Sequence, residues 1–328
     1  MNEERGRLTA WKIVFLVLVS LVILLVALIP GARVISPGEL IEVIRGGGDA
    51  MVRSLVIELR LPRIMMALAA GAALSTGGTV FQAMLRNPLA DPFIIGVSGG
   101  AALGAAAVII FLPPGVPVMA GAFAGSLGAT MLVFGLSRRL SLGSETLILA
   151  GVAVSFSLSS VVFLMYAFGR SRDVHRAILW MMGDLSQARF ELVAAGGFLV
   201  ILMIGVLYFF RHHLDIISFG EDFSRNLGIG GVSQWAIFWI AALLVAVPVA
   251  MAGIIGFVGL MVPHMVRSAA GARHGILIPL AALGGGLFLL VADTIGRTVA
   301  LPYEIPVGVI TGLGGGVFFV ILLAGRKN

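Results

Sequence analysis

The sequence predicts an all-α, polytopic membrane protein with about ten transmembrane helices. Of its 328 residues, 59% are hydrophobic, and the mean hydropathy is +1.08. Only 12% are charged, where a soluble globular chain carries roughly a quarter. Apolar runs of about 20 residues recur along the chain, each long enough to cross a ~30 Å hydrocarbon core as a helix. The weakly alternating segments of a membrane β-barrel are absent. Residues 1–328 read as a single transmembrane domain.

The first apolar run follows Arg5, Arg7 and Lys12 and continues to about Pro30. That is longer than the roughly 7–15 apolar residues of a cleaved signal peptide, and no small-residue cleavage site follows. It is expected to remain as span one, near 11–30. Further spans are expected near 62–84, 93–112, 117–136, 146–168, 191–210, 233–253, 254–267, 275–295 and 305–324. The stretch 233–267 is too long for one crossing, so a break is placed at "AGIIGFVG", where Gly253, Gly256 and Gly259 can turn the chain. The eighth span is then short, a broken or tilted helix.

An even number of spans puts both termini on one side. Placing them in the cytoplasm leaves 12 of the 22 basic residues inside and 10 outside. Nine of those ten lie in the two long outer segments, 31–61 with its flank and 169–190, so the short loops favour this orientation. The net charge of +6 suits lipid headgroups or acidic protein partners rather than nucleic acid.

Several function classes are excluded. Without cysteine there is neither a disulfide framework nor a thiolate metal site. The two lysines, Lys12 and Lys327, fit no phosphate-binding loop of the G-x-x-x-x-G-K-[ST] type. No ionisable residue falls in the centre of an expected span, and all five histidines lie near span ends, whereas ion-coupled carriers hold such groups at mid-membrane depth. Energy must therefore come from another subunit. The reading is a permease without enzymatic activity, served by a separate ATPase. The alternative is an ion-coupled secondary carrier of small solutes. A scaffold that transports nothing would leave the polar turns between spans unexplained.

Those turns carry the local chemistry. In "RNPLADP", residues 86–92, Pro88 and Pro92 forbid a continuous helix, while Asn87 and Asp91 can bond free backbone groups or cap the next helix. In "LSLGSETL", 140–147, Ser144 and Glu145 can cap span five. Ser155 and Ser159 share a face of that span, where they either line a polar lumen or bond their own i−4 carbonyls. The glycine stripes Gly96/Gly100/Gly104 and Gly308/Gly312/Gly316 let backbones approach closely. "IISFGEDFSRNLGIGG", 216–231, is the most polar inner segment and reads as two short helices about a glycine turn.

Together these strings resemble the FecCD-type permease subunits of type II ABC importers, which carry iron–siderophore complexes, haem and cobalamin. The resemblance rests on "RLPRIMMALAAGAALSTGGTVFQAMLRNPLADPFIIGVSGGAALGA" (60–105), "LILAGVAVSF" (147–156), "WMMGDL" (180–185), "GFVGLMVPHMVR" (256–267), "LLVADTIGR" (289–297) and "EIPVGVITGLGGGVFFVILL" (304–323), in order along nearly the whole chain. It implies a ten-helix subunit of the cytoplasmic membrane of a prokaryote, forming a homodimer with the pathway at its two-fold interface. Two cytoplasmic ATPases, which hold the ATP and magnesium, and an extracytoplasmic binding protein complete the machine. No cofactor is implied on this chain.

Residue roles follow from the same resemblance. Asn87, Pro88, Leu89, Ser144 and Glu145 fall at the cytoplasmic gate, and Ser155 and Ser159 at the pathway wall. Gly220, Glu221, Arg225, Leu227 and Gly228 fall in the loop that contacts the ATPase. Arg60, Arg63 and Arg297 share the outer surface by parity. In the resembling permeases, arginines at these positions receive glutamates of the binding protein; the alternatives are contact with lipid phosphates or pairing with Glu58 and Asp293. The bidentate, permanently charged guanidinium suits carboxylate partners.

Overall fold

The computed structural model describes residues 2–31, 33–139, 144–227 and 231–325, with side chains from residue 15 onward except at 138–139, 144–145, 221–222 and 225. No strand occurs among the described residues. Ten helices follow the ten expected spans: α1 (Asn2–Leu28), α4 (Leu61–Met84), α5 (Val97–Phe111), α6 (Val118–Arg139), α7 (Ser144–Phe168), α9 (Phe190–Phe209), α12 (Val232–Ala252), α13 (Val258–Ala270), α14 (His274–Gly296) and α15 (Val307–Gly325). Among the described residues, seven stretches are long and apolar enough to cross a membrane alone, and α5 is a shorter apolar helix.

Short helices decorate this frame: α2 (Pro37–Ile44), α3 (Ala50–Ser54), α8 (Ser171–Met181), α10 (Arg211–Ile217) and α11 (Glu221–Asn226). Ser36 and Glu39 form a reciprocal capping box at the start of α2, with Pro37 in its first turn. The Ser36 amide bonded to the Glu39 carboxylate is the main reason that group titrates below its ordinary range. Ile35, Leu40, Val43, Val52 and Val56 close a small apolar core beneath α2 and α3.

The second span begins earlier than expected. A π-turn at Leu55–Arg60 joins α3 to α4, giving one helix from Ala50 to Met84, 35 residues long. Pro62 has no N–H, and its ring would crowd the carbonyl four residues back. The widened turn, in which the Leu61 N–H reaches Val56 O, accommodates it without ending the helix.

α4 is the buried axis of the fold, and glycines set how closely its neighbours approach. A Cβ at Gly71 would stand 2.1 Å from the carbonyl oxygen of Gly285 on α14, and one at Gly78 would stand 1.8 Å from that of Gly259 on α13. α5 and α6 repeat the device: Gly100 and Gly104 lie against the carbonyls of Gly125 and Gly121. The second expected stripe works differently. Gly308 touches the Met182 and Ile254 carbonyls, Gly312 and Gly316 face open space, and Gly315 receives the ring of Phe257.

The break in 233–267 is present, with its glycines in other roles. The chain leaves α12 at Gly253 (φ 76°), where a Cβ would stand 2.2 Å from Trp180 O, and the Asp184 amide takes the Ala252 carbonyl. Phe257, not Gly256 or Gly259, adopts the left-handed conformation that starts α13, with φ 67°. Gly259 sits inside α13 and admits Pro92 and the Leu74 carbonyl at close range. α13 also places His264 at mid-helix, correcting the expectation that every histidine lies near a span end; its ring is 6.2 Å from that of Phe318.

Candidate functional site

Two polar regions lie at opposite ends of the helices. At the first, α4 ends and the chain enters "RNPLADP". Arg86 takes a left-handed conformation (φ 51°), the Asn87 side chain accepts from the Leu89 amide at 2.9 Å, and Asp91 accepts from the Phe93 amide at 2.7 Å. Asp91 thereby caps the 3-10 turn Pro92–Ile95, which Gly96 (φ 88°) ends as α5 starts. Burial pushes the Asp91 carboxyl up to about 6, against the opposing pull of the Phe93 amide. Pro92 packs on Gly259, and the Ile94 carbonyl lies against Gly151 of α7, so the turn is wedged between α13 and α7. Pro88 and Leu89 remain exposed.

Beside this turn stand α10 and α11, the two short helices expected about Gly220 (φ 127°). A Cβ at Gly220 would stand 3.8 Å from Arg86 Nη1, so the structure brings the two sequence-predicted regions together. Glu221 and Arg225 lie on α11, their side chains outside the described residues, and Gly228 lies outside them altogether; Leu227 is exposed. Sequence reading missed that Phe219, Phe223 and Leu227, spaced every fourth residue, form an exposed apolar ridge whose two rings are 5.7 Å apart. The spacing was the available signal. Gln234 of α12 donates to the buried Ser224 hydroxyl at 3.3 Å, anchoring the opposite face of α11.

A contact that no sequence motif announced ties this segment to α14. Asp215 of α10 accepts from the His274 amide at 2.8 Å and lies 2.7 Å from His274 Nδ1. One carboxylate thus caps α14 and fixes its first side chain, which is buried. The Nε2 atom of His274 has no hydrogen-bond partner among the described residues.

The opposite end of α14 holds the arginines. Arg63, Arg297 and Asp293 come together, although Arg63 and Asp293 are 230 residues apart in sequence. Arg63 grips Asp293 with Nε and Nη2, at 2.9–3.1 Å, and reaches Glu304 with Nη1 at 2.7 Å. Arg297 Nε is 3.1 Å from Asp293 Oδ2 but poorly aligned, a charge contact rather than a hydrogen bond. Its Nη2 donates to the Ala27 carbonyl. Arg60 donates to the carbonyls of Leu28, Ile29 and Arg33. These two arginines therefore cap the C-terminal end of α1, whose last carbonyls have no helical donor.

The three arginines expected on one outer surface lie together at this end, but they are not equally accessible. Arg60 and Arg297 are 5% and 4% exposed, and Asp293 is 1% exposed. Burial of a guanidinium demands compensating acceptors, which α1 and Asp293 supply. Of the sequence-based alternatives, pairing with Asp293 is realised by Arg63 and Arg297, whereas Glu58 accepts from Ser54.

The serines of α7 divide by face. Ser157 and Ser160 are exposed and donate to their own i−4 carbonyls, at 2.9 and 3.0 Å. Ser155 is half-buried against α5, its Cα 3.3 Å from where a Cβ of Gly99 would stand; Ser159 is half-buried on the same side. Ser144 and Glu145 begin α7, with their side chains and the preceding loop 140–143 outside the described residues.

Residues 17–325 match the FecCD transport family. The chain is 37% identical to the hemin transport system permease protein HmuU of Yersinia pestis over 83% of its length and 84% of that protein's. It is 40% identical to the cobalamin import system permease protein BtuC of Halobacterium salinarum, covering 83% and 74% of the two chains. Against the Fe(3+) dicitrate transport system permease protein FecD of Escherichia coli the identity is 38%, over 82% and 85%. Among solved structures, one described as an inward-facing metal-chelate type ABC transporter superposes with a TM-score of 0.87 at 30% identity, over 96% of this chain and 99% of that one. The family match and the superposition both extend along nearly the whole chain, and this protein belongs to the FecCD transport family as a permease of the ABC importer class.

Proposed function

We propose that this permease forms a homodimer in the cytoplasmic membrane and passes an iron chelate, haem or cobalamin along the dimer interface, driven by two ATPase subunits. The kinship with hemin, cobalamin and ferric dicitrate permeases supports the cargo class; within it, ferric chelates are the first choice. Both termini, the "RNPLADP" turn and α10–α11 face the cytoplasm. The observation that carries the ATPase assignment is the cluster of exposed apolar side chains on and flanking the short helix α11, Phe223 on it and Phe219 and Leu227 just beyond its ends, with the helix anchored from behind through Ser224. Such a helix inserts into a groove on its partner and transmits a push without bending. Gly220, Glu221, Arg225 and Gly228 belong to this coupling element. Asn87, Pro88, Leu89, Ser144 and Glu145 form the adjacent gate region, and Ser155 and Ser159 lie at the pathway wall.

At the arginine end, docking of the binding protein centres on Arg63. Its Nη1 bond is to Glu304, which is 47% exposed on its side chain, so an incoming carboxylate can replace Glu304 without opening the buried Arg63–Asp293 pair. Arg60 and Arg297 hold the surface on which that exchange occurs. Rim pairs of this kind govern encounter rate and orientation. The test is uptake of labelled ferric chelate, haem and cobalamin, side by side, in vesicles containing permease, ATPase and binding protein. ATP-dependent accumulation of one cargo is expected, together with its loss when Glu221 and Arg225 are both replaced while the protein remains in the membrane. Accumulation driven by an ion gradient without ATP would establish the secondary-carrier reading instead.

A further inference from the structure

α13 is held in place from outside its own helix. Pro263 has no N–H, so the carbonyl four residues earlier, that of Gly259, has no in-helix donor. That carbonyl faces α4 at Gly78, where even a methyl group would collide with it. One helical turn further along the same face of α4 stands Gln82, whose Nε2 lies 3.4 Å from both Gly259 O and Leu260 O. Gly78 makes the room and Gln82 provides the donor.

The contact is incomplete in a way that matters. Gln82 is 3% exposed, and its Oε1 is sealed from solvent with no donor among the described residues. Two residues before Gly259, Phe257 takes a left-handed conformation that non-glycine residues seldom adopt, its ring lodged against Gly315 of α15. An unmade in-helix bond, a buried acceptor without a donor and a disfavoured backbone conformation converge on one joint. Each is a local cost concentrated where α13 meets α4.

We propose that Gln82 is a positioning residue for α13, and that Gly259, Pro263 and Gln82 form an exchangeable joint allowing α13 to change its setting against α4 during the transport cycle. The functional part of this inference rests on the transport reading above; the two settings of α13 do not.

A double-mutant cycle with Gln82→Met and Pro263→Ala tests it. Alanine at 263 restores an in-helix N–H for Gly259 O, so Gln82 should become dispensable for holding α13. In the otherwise native chain, Gln82→Met is expected to reduce cargo moved per ATP hydrolysed about fivefold, the effect of one net hydrogen bond. With Pro263→Ala present, the same change should cost less than about twofold. Equal losses in both backgrounds would overturn the proposal, because Gln82 would then act only by filling space. A second measurement does not depend on cargo. The chain has no cysteine, so spin labels at Leu61→Cys on α4 and Met265→Cys on α13, both exposed sites, report the α4–α13 separation when labelled chain is diluted into unlabelled chain. Two separations are expected in the native joint and one with Pro263→Ala. A single, identical separation in both proteins would refute the two-setting joint even if transport is confirmed.

Discussion

Asp293 offers the sharpest perturbation. Its carboxylate sits between the guanidiniums of Arg63 and Arg297, with the nearest N···O distance to Arg63 2.9 Å and that to Arg297 3.1 Å. Asp293→Ala leaves Arg63 with Glu304 alone, and Arg297 with only the Ala27 carbonyl and the Thr294 hydroxyl. Two like charges then face each other in a site that excludes water. Removing one partner of a buried ion pair costs roughly 3–5 kcal/mol, because the other charge stays buried and uncompensated. At about 2 °C per kcal/mol for a large chain, the melting midpoint should fall by roughly 6–10 °C.

The assay is thermal unfolding of purified protein in detergent, followed by the fluorescence of its four tryptophans. Two controls separate charge from shape. Asp293→Asn keeps the volume but not the charge and should lose nearly as much. Asp293→Ala combined with Arg297→Leu removes one surplus cation and should recover part of the loss. The fall should hardly vary with salt, since buried charges are little screened. A drop of less than about 2 °C for Asp293→Ala, or a strong salt dependence, would refute the buried-triad account. Protease sensitivity of α1 is a further readout, because Arg60 and Arg297 bond its terminal carbonyls.

Other changes probe the remaining contacts. Gly71→Ala places a methyl group 2.1 Å from the Gly285 carbonyl and should separate α4 from α14, lowering stability by about 1–3 kcal/mol or more in the same unfolding assay. Asp215→Ala removes the cap of α14 and the partner of His274 Nδ1; it should lower uptake per ATP hydrolysed, while Asp215→Asn, which keeps an acceptor, should restore most of it. The Asp91 carboxyl is raised from 3.8 to about 6, so its ionised form disfavours folding. That penalty is full above pH 6 and fades as pH falls from 6 towards 3.8. Asp91→Asn retains the cap without the charge and should stabilise the protein at pH 8 by an amount on the order of 2–3 kcal/mol, raising the melting midpoint, with less gain at pH 5.

The sequence revealed what depends on length, periodicity and backbone chemistry. Ten apolar stretches foretold ten helices because crossing a bilayer leaves little choice of length. Two prolines and two side-chain acceptors foretold the turn at 86–92, since proline forbids helix continuation whatever the context. The π-turn before Pro62 was not legible: local rules allow proline either to start a helix or to be absorbed by a widened turn, and only α3 behind it decided. The arginines were expected to share one surface, and the structure gathers them at one end of the helices; their partners were left open, because the acceptors are mostly carbonyls at the end of α1, and a backbone carbonyl leaves no mark in a sequence.

Gln82 and Pro263 show the same limit from the other side. A proline inside a short apolar helix predicts that some carbonyl lacks its donor, and the position of that carbonyl, residue 259, follows by counting. Which residue supplies the donor does not follow, since 177 positions separate Gln82 from Gly259. The closeness of α4 and α13 at Gly78 makes the pairing geometrically possible. Glycine here acts on function at one remove: by admitting a neighbouring backbone, it exposes that backbone's polar groups to side chains further along its own helix. In a membrane interior, where water cannot fill an open carbonyl, a single amide within reach then decides how firmly the neighbouring helix is held. The interrupted α12–α13 pair meets α4 at this point, so a buried polar contact between helices and an irregular backbone coincide.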